Sequence, residues 1–140
     1  MKFMKRLLIF TALPFQEKQL FMEALFFLYA AKILLLILPF RYCLKFLSNK
    51  RCKQENISEQ QLWLIKKAVH RTRWLAFWKN ECLVKSLASR WMLQRRQISS
   101  LLSLGAAFDQ DKKLIAHAWL SINEFEIVEK GGSYYELYQF

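Results

Sequence analysis

A thiol and an imidazole are the reactive groups that this chain sets up for joint chemistry. Cys82 opens the amphipathic stretch CLVKSLASRWMLQRR, and His117 lies about 35 residues later in the alternating stretch LIAHAWLSI. A thiol becomes a nucleophile as its thiolate, and the start of a helix favours that form through unpaired N–H groups and a partial positive charge. An imidazole on a strand can take the thiol proton and return it to a leaving group. A buried structural cysteine and a hydrogen-bonded core histidine are the plain alternative. Two residues so far apart in sequence do not decide between these readings.

The elements that must carry the pair are legible on either side of it. Ser58-Glu59-Gln60-Gln61 fits a capping box, so a helix starts there. Leu62, Ile65, Val69 and Leu75 make its apolar stripe to about Trp78, with Lys66, Lys67, Arg71 and Arg73 off the stripe. His70 reads as an exposed or boundary residue. Asn80 or Glu81 caps the next helix, which buries Val84, Leu87, Ala88, Trp91 and Met92. Beyond Ile98 the period changes. Leu101 to Leu104 suits a short strand, Gly105 to Lys113 a polar loop, and Leu114 to Ile122 a second strand. On that strand His117, Trp119 and Ser121 share one face, and Ala116, Ala118, Leu120 and Ile122 the other. Phe125 to Val128 returns antiparallel, Gly131-Gly132 interrupts the chain, and Tyr134 to Phe140 forms a last aromatic strand.

Three segments, Cys82-Leu83-Val84, Met92 to Ile98 (MLQRRQI) and Ala116-His117-Ala118-Trp119, carry a resemblance. In this order and at similar spacing they resemble the helix start, helix end and AHAW strand of the stand-alone leader peptidases of bacterial lasso-peptide biosynthesis, a transglutaminase-like group of papain-type folds. The likeness runs from about Leu20 to Phe140. Gln97 stands where that family usually has Gly, and Asn123-Glu124 where it has an Asp-Gly turn. The resemblance implies an α+β fold of the papain/transglutaminase-like kind, with N-terminal helices and the nucleophile helix packed on a small antiparallel sheet. The chain is expected to divide into a hydrophobic, basic helical segment over 1–57 and a transglutaminase-like peptidase core over 58–140, together one compact domain.

The activity implied is hydrolysis of one peptide bond in a ribosomally made precursor, releasing its leader, with Cys82 as nucleophile, His117 as proton shuttle and Glu129 as the acid that holds His117. Strand geometry restricts the last role. If Ser121 pairs with Phe125 across a three-residue loop, His117 faces Glu129; a strict two-residue turn at Asn123-Glu124 pairs Ala118 with Glu129 and turns the carboxylate to the wrong face. An odd loop or a bulge is therefore required. The backbone N–H of Cys82 is the first oxyanion donor, and Trp78 and Asn80 are candidates for the second. No metal or organic cofactor is expected. The partners implied are the precursor leader peptide, a separate leader-binding protein and an ATP-using macrolactam synthetase. That ATP belongs to the synthetase, because this chain has no phosphate-binding Gly-rich loop. Thiol-dependent acyl transfer and a non-catalytic membrane-associated scaffold are the alternative functions.

At 140 residues, 54 % of them hydrophobic, the chain can bury one core and little more. Its net charge of +11 is uneven: 19 of the 22 Lys and Arg residues, but 5 of the 11 acids, fall within 1–100. Such a surface attracts anionic lipid or an acidic peptide; the cations lie scattered among large apolar residues with no nucleic-acid-binding signature, so no nucleic-acid partner is expected. Cys43, Cys52 and Cys82 cannot all pair within one chain, which points to a reducing compartment. Cys43 reads as a small core residue and Cys52, between Arg51 and Lys53, as a loop residue. No Cys/His spacing suits zinc.

Leu20 to Phe40 is long enough to approach a bilayer span, yet Glu23 and Lys32 leave an uncharged run of only about eight residues between them, against the 18 or more of a spanning helix. The segment reads as a helix buried against the domain or resting on a membrane surface, with true insertion as the alternative. Pro39 ends it, and the basic residues from Arg41 to Lys53 follow. Residues 1–15 imitate a signal peptide without an Ala-x-Ala cleavage site, so secretion is not expected. The location expected is cytoplasmic, with contact to the inner face of the membrane as the alternative to a wholly soluble placement.

Overall fold

A computed structural model of the chain describes residues 2–39, 41–43, 57–73 and 82–140. Among these, helices α1 (Lys2–Thr11), α2 (Phe15–Ile37), α3 (Glu59–Thr72) and α4 (Cys82–Arg95) precede strands β1 (Leu101–Phe108), β2 (Leu114–Ile122), β3 (Phe125–Val128) and β4 (Tyr135–Gln139). The fold is α+β. The strands form one antiparallel sheet in the order β3-β2-β1-β4, so the last strand closes on β1 rather than on its sequence neighbour.

Local chemistry explains the helix limits. Ser58 caps α3, its Oγ accepting from the Gln61 N–H at 3.4 Å. Leu62, Ile65, Ala68 and Val69 are the buried side of that helix. The residues after Arg73, where the apolar stripe was expected to continue to Trp78, lie outside the described residues, as do Asn80, Glu81 and Cys52. α4 starts at Cys82 and ends in a Schellman motif: the Ile98 N–H donates to the Leu93 carbonyl at 3.0 Å and the Gln97 N–H to the Gln94 carbonyl at 3.0 Å. Gln97 takes the left-handed conformation (φ 58°) that glycine adopts most cheaply, and buried Ile98 packs into the core beyond it.

α4 lies at the centre of the molecule. It packs against α2 and α3 and against β2 and β3, and it buries Val84, Leu87, Ala88, Met92 and Leu93. Trp91, expected in the core, is half-buried against Phe27 (ring centroids 6.1 Å apart). A bidentate ion pair ties α2 to the far end of α4, Arg96 Nη1 and Nη2 donating to the Glu23 carboxylate at 2.6 and 2.7 Å. Arg71 of α3 pairs with Glu17 of α2.

One correction and one choice between alternatives concern the sheet. β1 runs to Phe108, so Gly105 to Phe108, expected as loop, pair with Leu114 to His117 of β2. Gly105 is required there because a Cβ would lie 2.7–2.8 Å from the Trp119 ring and 2.8 Å from the Tyr135 carbonyl. The β2–β3 connection is the two-residue turn at Asn123-Glu124, with Asn123 at φ 52° and Ile122 opposite Phe125. A bulge follows at once. Ser121 pairs with Glu126 but Leu120 with Val128, so Ile127 is the extra residue and the register beyond it shifts by one. That shift brings Glu129 into phase with the face of Trp119 and His117.

Candidate active site

The site is built where the start of α4 meets the middle of β2. Cys82 is half-buried, and its Sγ accepts a hydrogen bond from the Ala118 N–H at 3.4 Å. The sulfur therefore sits one residue along the strand from His117. Being the first residue of α4, Cys82 also presents a backbone N–H that has no partner within the helix, and the first-turn dipoles point at the same place. Lys85, one turn along, lies with Cys82 on the wall of a common cleft. Burial, and then the charge of Arg73, push the Lys85 ammonium below the ordinary lysine range, while charge on Cys82 acts in the opposite direction.

His117 is held on its Nε2 side and stacked on its face. Nε2 lies 3.0 Å from the main-chain carbonyl oxygen of Glu129. A carbonyl oxygen can only accept, so Nε2 is the donor here, and in the neutral ring the lone pair that a general base needs is then on Nδ1. The ring stacks on Tyr134 (4.8 Å between centroids, 26° between planes) and is nearly parallel to Trp119 at 6.1 Å. Lys130 places its Nζ 4.9 Å from the centroid of the Trp119 ring. The connection from β3 to β4 thus supplies the carbonyl and one aromatic wall, and Gly131 turns it with φ 67°.

Glu129 reaches the site in a different way from that expected. Its carboxylate bonds to Lys66 of α3 at 2.8 Å, and the group of Glu129 that meets His117 is the main-chain carbonyl. Lys66 in turn lies over the rings of Trp63 and Phe125, 5.4 and 5.6 Å from their centroids, which leaves it well placed to hold the acid. The hydrogen bond from Lys66, and then its charge, hold the Glu129 carboxyl below the usual carboxylate range. The bulge at Ile127 sets the phase, and the main chain makes the contact with the imidazole.

Cys82, His117 and Glu129 all line one cleft of about 1000 Å³. Lys66, Lys67, Arg71, Arg73 and Lys85 also line it, and Glu129 is the only carboxylate among the described lining residues. Lys66 and Arg71 are engaged by Glu129 and Glu17. The wall is basic. His70 stands on it, exposed. Cys43 is buried away from it, and burial pushes its thiol up. Trp78 and Asn80, the candidates for a second oxyanion donor, lie outside the described residues.

The match to a family model decides the wider relationship, since the model for the transglutaminase-like superfamily matches residues 25–138, most of the chain. The chain belongs to the transglutaminase-like superfamily. No curated protein and no solved structure matches it. The superfamily is in general one of cysteine-dependent enzymes. Sequence reasoning picked out the thiol, the imidazole and the segment carrying Glu129 in this member of the transglutaminase-like superfamily. It missed Lys66, Tyr134 and Gly105. Lys66 was visible only as a cation off an apolar stripe, and nothing local joins it to a residue 63 positions away.

Proposed function

We propose that the chain is a cysteine peptidase that removes the leader from a ribosomally synthesised lasso-peptide precursor. The observation that carries the reading is the contact of Cys82 Sγ with the Ala118 N–H, which sets a helix-start thiol beside a histidine of fixed tautomer. The thiol proton passes to Nδ1 of His117, and the sulfur attacks the scissile carbonyl. Negative charge on the carbonyl oxygen meets the Cys82 N–H at the head of α4. Collapse breaks the C–N bond as the imidazolium returns its proton to the departing amine, and a water deprotonated by His117 then hydrolyses the thioester.

A basic cleft suits an acidic stretch of leader, so the KM for such a substrate should rise with salt. A separate leader-binding protein presents the precursor, because raising local concentration and fixing position are what such a partner supplies. An ATP-dependent macrolactam synthetase then closes the ring on the freed core. Incubation with a lasso precursor, followed by mass spectrometry, tests the activity: release of the intact leader is expected, and absent with Cys82→Ala. Attachment of an amine to the acyl fragment would instead make the chain an acyl transferase. Full turnover without the leader-binding protein would remove that partner from the scheme.

A further inference from the structure

The strongest unexplained feature lies on α2, away from the cleft. This helix is apolar on two opposite faces. Ala24, Leu28 and Ala31 are buried against the domain. Phe15, Met22, Phe26, Ile33 and Ile37 recur at the same helical spacing but half a turn round the axis, and they are 73, 56, 68, 53 and 71 % exposed. Helix α1 adds Phe3, Met4, Leu7 and Leu8, each more than half exposed, and Phe10 joins it to α2 by packing on Phe21 at 5.0 Å between ring centroids.

Charge says what covers this surface. Both acids of α2 turn towards the domain, Glu17 to Arg71 and Glu23 to Arg95 and Arg96, so they are matched there. α1 contains no acid and carries Lys2, Lys5 and Arg6 on the side opposite Phe3, Met4, Leu7 and Leu8, with Ile9 among the cations. The exposed surface is therefore apolar with a cationic margin, the pattern of a helix lying in a membrane interface rather than one seeking a protein groove. α2 is long and apolar enough to cross a bilayer. Crossing would strip Glu17 and Glu23 of their arginines and uncover the Ala24, Leu28 and Ala31 face, which fixes the orientation as in-plane.

We propose that α1 and the outer face of α2 bind the surface of a bilayer containing anionic phospholipid, with the remainder of the domain facing water. This site is independent of the peptidase reading. Co-sedimentation of the full chain with vesicles of equal parts phosphatidylglycerol and phosphatidylcholine, against vesicles of phosphatidylcholine alone, tests it. Binding to the anionic vesicles is expected to be about tenfold or more tighter and to weaken with salt. Phe26→Asp, and separately Lys2→Glu with Lys5→Glu, are expected to lower it by about tenfold. These side chains are exposed, so the thermal transition should be unchanged, and the charge reversal stands as the test if Phe26→Asp fails to fold. Absence of binding, equal binding to both vesicles, or a self-association abolished by Phe26→Asp in place of vesicle binding would each overturn the proposal.

Discussion

His117 is held by the main chain of Glu129, Nε2 to carbonyl oxygen at 3.0 Å, while the carboxylate of the same residue binds Lys66 at 2.8 Å. One residue thus joins the imidazole to α3 through two different groups. Glu129→Gln keeps the carbonyl and should lower turnover by less than about tenfold, a smaller loss than a residue acting directly on imidazolium charge would give. Lys66→Met should behave alike. A loss of several hundredfold in Glu129→Gln, with KM unchanged, would return the carboxylate to the reaction.

The same clasp has a pH signature. Lys66 depresses the Glu129 carboxyl, so the pair stabilises the fold above the ordinary carboxylate range and loses that contribution as pH falls through the depressed value. An NMR titration should place Glu129 below the usual value in the parent and close to it in Lys66→Met. With the Glu129 side chain 66 % exposed, the effect on overall stability should be small.

For the nucleophile, Cys82→Ala should abolish leader release, by about a thousandfold or more, and leave the thermal transition nearly unchanged. Cys43→Ser and Cys52→Ser should retain turnover. Burial raises the Cys43 thiol and keeps reagent away, so native-state alkylation at the rate of inactivation should map to Cys82 and not to Cys43.

Gly105→Ala tests the support behind the imidazole. A Cβ at this position would press on the Trp119 ring and the Tyr135 carbonyl, and the neighbouring ring and backbone must move. A cost of about 1–3 kcal/mol in denaturant unfolding is expected. Turnover should fall as well, since Trp119 and Tyr134 both stack on His117.

Gln97→Gly should be stabilising. It relieves a left-handed non-glycine residue at the end of α4, and after the extra freedom of the unfolded chain is counted the gain should be about 0.5–1 kcal/mol by denaturant unfolding. An unchanged or lower midpoint would show that the Gln97 side chain holds the helix end in some other way.

What was legible in the sequence was local. Ser58 ahead of an apolar stripe, Cys82 at the head of another and the alternation of LIAHAWLSI each mark an element within a few residues. Gly105-Ala106-Ala107 has no such mark. Those residues are strand because they pair with Ile115, Ala116 and His117, and because the first of them leaves room for an indole from the adjacent strand. The Glu129 contact was half legible for a similar reason. Parity arguments correctly demanded an odd loop or a bulge, yet which of the residue's two acceptors meets His117 depends on Lys66, whose position is set by the aromatic pair Trp63 and Phe125.

The burial of α4 has a mechanical consequence. The helix packs against two helices and a sheet and is tied by Arg96 to Glu23 at its far end, which gives the sulfur a close-packed support. The opposite wall, the chain from Glu129 to Tyr134, turns at Gly131, where a side chain would meet no atom within 4 Å. Since that short connection carries both the carbonyl that selects the tautomer and the ring that covers the imidazole, a substrate that displaces it alters proton transfer before it alters attack. Poor substrates should consequently differ from good ones in the pH dependence of turnover.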